Sequence, residues 1–274
     1  MINLAFITPH SPLLIPSIAK KNINLLERTS QALEQIKDKI LSEKIETIII
    51  ISPHKKNNSN ISINNHFEFK INFEEFGDYS KQLTLPGDLN LAYRLKEVSE
   101  NDFNITLQAQ EEADYGANIP LFLLSTEPKQ EIKKFLGQIV IINTSTEESL
   151  EYHFQWGQKI SQELKNYNRR IAIIASAELS HRHKHNSPGG FYQRAALFDE
   201  KTIENIKKGA EGVEEILKTS PQLIQEAQEC GLRPLLVLLG IINKFNYQAE
   251  TLAYQKDLGI GYLTMELLLN YERH

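Results

Sequence analysis

Two proline–histidine pairs follow short aliphatic runs, in Thr8-Pro9-His10-Ser11-Pro12 and in Ser52-Pro53-His54-Lys55. Neutral imidazole is the commonest metal ligand among side chains. A proline fixes φ and removes an N–H donor, which helps hold the next residue as the chain leaves a strand. Taken singly, each histidine would equally suit a local hydrogen bond at a strand end. The repeated context points instead to one shared metal site. A third aliphatic run leads into Ser176-Ala177-Glu178-Leu179-Ser180-His181, which would bring His181 to the same place with Glu178 nearby. His183 and His185 follow in a polar stretch that reads as a solvated loop. The single cysteine lies in Glu229-Cys230-Gly231-Leu232-Arg233-Pro234, at the head of an apolar helix over 235–242. The positive end of a helix dipole lowers a thiol pKa and favours the metal-binding thiolate. An inert buried cysteine is the alternative.

Such residues need a rigid frame. Residues 3–8, 46–52, 138–143 and 170–176 are rich in Ile, Val and Ala without polar alternation, as in strands covered on both faces. Amphipathic helices are expected over 23–41 and 147–165, the second with N-cap oxygens offered by Thr144-Ser145-Thr146. Strands alternating with helices imply βαβ units. The fold class is therefore α/β: a single domain over 1–274 with a central, mostly parallel sheet flanked by helices and some antiparallel edge strands. Residues 61–73 alternate more and suit antiparallel strands at the sheet edge. Residues 247–254 and 259–268 read as strand, turn and strand, residues 197–243 as helical almost throughout, and 187–190 as a turn or mobile loop. In open parallel sheets, ligands bind beyond the carboxyl ends of the strands. That rim is where His10, His54 and His181 would lie, with the loops 55–60 and 182–190 shaping the pocket.

Composition narrows the function. At 274 residues the chain can bury a large core without disulfides, and one cysteine permits no intrachain bridge, which suits a reducing cytoplasmic setting. A net charge of −5 argues against nucleic acid as a partner. No apolar run reaches the roughly 20 residues needed to span a bilayer, and the N-terminal segment lacks the basic region of a signal peptide. A protein without a membrane partner, acting on a small molecule, is expected.

The ordered elements Pro9-His10, Ser52-Pro53-His54, Phe73-Glu74-Glu75-Phe76-Gly77, Asp114-Tyr115-Gly116 with Ile119-Pro120-Leu121, Glu178-Leu179-Ser180-His181 and Cys230-Gly231-Leu232-Arg233-Pro234 span nearly the whole chain. In this combination the sequence resembles the class III extradiol dioxygenase superfamily, the LigB-like and Memo-like proteins. The resemblance implies a metal held by His10 and His54. A carboxylate would complete a site for non-haem Fe(II), acting with O2 on a catechol-like aromatic diol, with His181 as general acid/base. The Asp-His-Gly element of the dioxygenases reads Asp114-Tyr115-Gly116 here, so a phenol stands where histidine is usual. Aligned on the Cys-Gly-x-x-Pro turn, Cys230 takes the third-ligand position, as in Memo-like proteins, with Glu229 as the carboxylate if the register shifts by one. A two-histidine, one-thiolate site also accommodates Zn or Cu. The alternative is then a Memo-like metal protein with a redox or protein-modification role and no ring cleavage. Relatives of this kind often associate, so a homo-oligomer is compatible with the resemblance.

Overall fold

In the computed structural model of the protein, the described residues are 1–54, 59–127, 132–133, 135 and 137–270. One sheet of eight strands organises them, in the order Asn246–Gln255, Tyr262–Asn270, Ile2–Thr8, Ile171–Ser176, Thr47–Ser52, Gln138–Asn143, Ser62–Asn64 and Thr106–Gln108. The four central strands run parallel, and they are the four aliphatic runs of the sequence. Thr47–Ser52 and Ile171–Ser176 are buried along their whole length, so the continuous apolar run and the covered strand coincide.

The period-two alternation of a strand divides these residues between two cores. Ile49, Ile51, Ile173 and Ile142 pack on one face with Trp156 and Leu235. Ile48, Ile50, Ile174 and Ile141 pack on the other with Leu33 and Ile36. Those partners come from the helices Leu150–Asn166, Leu232–Ile241 and Glu27–Ser42. The chain forms a single α/β domain, mostly parallel with helices on both faces. Among the described residues, no helix is long and apolar enough to cross a membrane.

Several elements differ from expectation. The stretch 61–73 divides between two sheets. Ser62–Asn64 pairs antiparallel with Gln138–Asn143 in the main sheet, whereas Glu68–Phe73 forms a separate hairpin with Asp78–Pro86. The helix expected over 147–165 starts at Leu150, because Ser149 Oγ caps Tyr152 N at 3.0 Å. Ser145 Oγ instead accepts from the N–H groups of Glu147 and Glu148, closing a turn ahead of the helix. The 197–243 region breaks into Ala195–Lys207, Ala210–Leu217, Pro221–Ala227 and Leu232–Ile241. The 187–190 segment is a tied-down turn, with buried Ser187 donating through Oγ to Gly259 O. Of the expected pocket loop 55–60, residues 55–58 lie outside the described residues.

Candidate metal centre

Parallel register brings the functional segments to one rim. Thr8 pairs with Ser176 and Ser52 with Asn143, so the chain leaves all four central strands at the same edge of the sheet. His10, His54 and the 177–181 segment emerge there together. Cys230 reaches the rim from the turn before helix Leu232–Ile241. Its approach depends on Gly231, where a Cβ would lie 2.8 Å from Glu178 O and 2.9 Å from Ala177 Cβ.

His10 is 1% exposed. Its Nδ1 lies 2.8 Å from Ser176 Oγ, and Ser176 Oγ donates its only proton to Gly116 O at 2.5 Å. The serine must therefore accept from His10 Nδ1–H, which leaves a lone pair on Nε2. The Gly116 carbonyl is open to this contact for a reason written in the sequence. Its helical partner would be the N–H of residue 120, and Pro120 has none. Gly116 itself admits no side chain, since a Cβ would collide with Ser52 Oγ and lie 3.2 Å from His54 Cδ2.

The Nε2 of His10 faces His54 Nε2 at 2.8 Å and Cys230 Sγ at 3.4 Å. The candidate ligand atoms of His10, His54 and Cys230 all lie within 4.8 Å of one another, and those of Glu178, His181 and Cys230 form a second such group sharing the thiol. Glu178 Oε2 is 3.8 Å from His10 Nε2 and 3.4 Å from His181 Nε2, while buried Glu178 Oε1 has no partner among the described residues. A neutral nitrogen lone pair, a second imidazole and a thiol come together, with the Glu178 carboxylate beside His10 and the thiol. This donor set fits a transition metal.

Electrostatics follow from the enclosure. Burial lowers the pKa of His10 and of His54 to about 4 each, so both rings are neutral at physiological pH. Burial opposes ionisation of Glu178, but His10 and a hydrogen bond from His181 hold its carboxyl below the usual range. For Cys230 the expected thiol activation is reversed in the metal-free protein. Enclosure of the thiol and the nearby Glu178 and Glu229 carboxylates push it well up, outweighing the helix dipole. A bound cation would reverse that balance.

The other expected site residues occupy distinct places. Asp114 is saturated: Oδ1 accepts from Ser52 Oγ at 2.5 Å and Oδ2 from Asn143 Nδ2 at 2.6 Å. It also caps the helix Tyr115–Ser125. Asp114 thus braces the rim beneath His54. Tyr115 stacks on His54, with centroids 4.3 Å apart and an interplanar angle of 19°. Burial raises its phenol pKa, followed by the Cys230 and Glu178 charges, so the neutral phenol can donate a hydrogen bond but is no base near pH 7. Glu229 turns away from the other ligand atoms, with Oε2 accepting from Leu232 N at 2.6 Å at the helix start. His183, read as a solvated residue, is largely buried and bonds Asp199 Oδ2 at 2.8 Å, while Asp199 Oδ1 accepts from Ser180 N. His183 thus helps fix the segment that carries His181. His185 is exposed, as expected.

Sequence reasoning noted Glu178 without giving it a role and passed over Ser176. The signals were their positions: Ser176 ends the strand, and Glu178 stands three residues before His181.

The chain is similar to known proteins. The family described as the catalytic LigB subunit of aromatic ring-opening dioxygenase matches residues 4–264. Protein CA_C1420 of Clostridium acetobutylicum is 27% identical over 277 residues, covering 97% of this chain and 57% of that protein. The chain therefore spans little more than half the length of this curated relative. Among solved structures, the uncharacterized protein JW3007 from Escherichia coli K12 has the same fold. It gives a TM-score of 0.63 at 18% identity, with 96% of this chain and 99% of the other covered. Because the family match covers residues 4–264, taking in the central strands and the rim, the chain belongs to the family of the catalytic LigB subunit of aromatic ring-opening dioxygenases.

Proposed function

We propose that the protein is a metal-dependent oxidoreductase that opens a catechol-like aromatic ring with O2, using non-haem Fe(II). His10 and His54 are its imidazole ligands, Cys230 is the third, and Glu178 is the carboxylate nearest to them. The observation that carries this reading is the His10 Nε2 lone pair, fixed by Ser176 and aimed at His54 Nε2 and Cys230 Sγ. Bound there, Fe(II) supplies open coordination positions and redox chemistry for a diol and O2. The residues around it handle protons and position. His181, 3.4 Å from Glu178 Oε2, is placed to take a proton from the diol and return it later. Tyr115 holds the His54 ring by stacking and can donate a hydrogen bond to a substrate oxygen.

The test is anaerobic Fe(II) loading of untagged protein, metal analysis, then oxygen uptake with a panel of catechols. Uptake that falls at least ~100-fold in His181→Asn with iron content unchanged is the expected result. Full iron occupancy with no uptake across the panel would exclude ring opening of those substrates. A second reading is favoured by the thiol itself. It is a Memo-like metal protein with a redox or protein-modification role, in which Cys230 selects Cu or Zn. Under both readings Cys230→Ser lowers metal content sharply, and unchanged content would remove the thiolate from the ligand set.

A further inference from the structure

A cleft of about 700 Å3 opens beside the rim, with His54 and Tyr115 in its wall. Its described lining includes Glu74, Glu75, Glu111, Glu112 and Asp114, and none of those lining residues is a lysine or arginine. Asp114 is used within the rim, and Glu111 is paired with Lys70 at 2.8 Å. Glu74 and Glu112 are both exposed, and the charge of Lys70, itself bound to Glu111, also reaches Glu112. The floor supplies an independent signal. Asn118 is 2% exposed and lines the cleft, yet its Oδ1 has no hydrogen-bond partner among the described residues. Its amide cannot be turned over, because Nδ2 donates to two carbonyls, Ala113 O at 2.9 Å and Asn72 O at 3.3 Å. A buried acceptor left unpaired is costly, and among the described residues nothing supplies its partner. Acceptors on the rim and an orphaned acceptor on the floor call for one kind of ligand: positively charged and rich in N–H donors.

We propose that this cleft binds the cationic end of the substrate, a primary ammonium or guanidinium group donating to Asn118 Oδ1 under the field of Glu74 and Glu112. The inference rests on the reading of the rim as the substrate-processing site, since the cleft would then hold the tail of the molecule whose ring lies at His54 and Tyr115. It selects an amine-bearing aromatic over the corresponding carboxylate. Focused negative potential favours the cation at a distance, and the buried amide oxygen favours a donor at contact.

The test is calorimetric titration of the metal-free full chain with phenethylamine and with phenylacetate, alongside metal content and oxygen uptake on the same preparation. Phenethylamine is expected to bind at least about tenfold more tightly than phenylacetate, with the preference shrinking as salt rises. The double variant Glu74→Gln/Glu112→Gln, on exposed side chains, should lose about fivefold in amine affinity. Asn118→Leu should lose about tenfold, with folding followed by circular dichroism. Equal or tighter phenylacetate binding overturns the proposal, as does unchanged amine affinity in the double variant, whatever becomes of Asn118→Leu. Iron uptake and oxygen consumption without amine preference would sink this inference alone. Amine preference without oxygen consumption would sink ring opening and leave the cation selectivity of the cleft standing.

Discussion

His10 and His153 are the same residue type, both almost wholly enclosed, and burial lowers the pKa of each to about 4. Their hydrogen bonds separate them. His153, on helix Leu150–Asn166, donates through Nδ1 to Ser149 O at 2.7 Å and accepts through Nε2 from Ser145 N at 3.2 Å. Both nitrogens are satisfied by backbone, and the ring locks the turn that precedes the helix. His10 has Ser176 on one side, and its other nitrogen meets only side chains that can themselves bind metal, a second imidazole and a thiol. What separates the two histidines is neither burial nor a depressed pKa but a lone pair aimed at other possible ligand atoms.

The widest separation between the two should appear in metal binding. His10→Ala is expected to weaken Fe(II) or Zn binding by more than about 100-fold, whereas His153→Gln should bind as the parent does. Metal at a hundredfold excess over Kd should stabilise the parent and His153→Gln by about 2.7 kcal/mol and His10→Ala far less. Thermal unfolding with and without metal reads both effects. An equal loss in the two variants would dissolve the distinction.

Acid stability should bring out what His153 does contribute. A buried histidine whose folded pKa lies near 4, against 6.5 when unfolded, binds its proton more readily in the unfolded chain. Its contribution is therefore fully present above about pH 6.5 and is lost as pH falls toward about 4. For His153 that loss amounts to ~3 kcal/mol across the interval. His153→Gln should flatten the fall in stability over that range, at the expense of a lower plateau near neutrality. Denaturant unfolding at a series of pH values checks it, and a slope unchanged by the substitution would mean that His153 takes up its proton without unfolding.

How far these two histidines could be told apart in the sequence shows where such reading stops. The aliphatic runs dictated the central strands, because residues buried on both faces leave no polar alternation. The repeated Pro-His context at their ends placed His10 and His54 on one rim, since parallel strands share a carboxyl edge. Glu68–Phe73 was harder: its alternation marks a half-covered strand but carries no information on which sheet it joins, and its partner Asp78–Pro86 shows no apolar run. Tyr115–Ser125 is buried almost all round and so lacks the amphipathic stripe that reveals a helix. His183 reads as solvated because its partner, Asp199, is 16 residues away in sequence. The direction of the Cys230 shift was misread for a related reason. A helix dipole can be read from local sequence, whereas the enclosure and the Glu178 carboxylate that outweigh it come from 52 residues away in the chain.

The finest way to sharpen the comparison is to change the partner of His10 while leaving the ring in place. Ser176→Ala removes the acceptor that fixes the proton on Nδ1, so the buried ring gains by moving that proton to Nε2, where a metal would bind. Affinity should fall about tenfold, the lower end of what outer partners of metal-binding histidines contribute. Ser176→Thr, which keeps the hydroxyl, should recover most of it. Pro120→Ala acts one step further back, by returning an N–H to the Gly116 carbonyl that Ser176 uses. A carbonyl oxygen has two lone pairs and can accept both bonds, so this effect should be smaller than that of Ser176→Ala. Nitrogen-15 chemical shifts of His10 read the tautomer directly: Nδ1–H in the parent and in Ser176→Thr, Nε2–H in Ser176→Ala. If Ser176→Ala weakened metal binding while the Nδ1–H tautomer persisted, the serine would be packing the rim and the proton would be held by something else. His153 should show the Nδ1–H form in every variant, because its two backbone partners leave it no other choice.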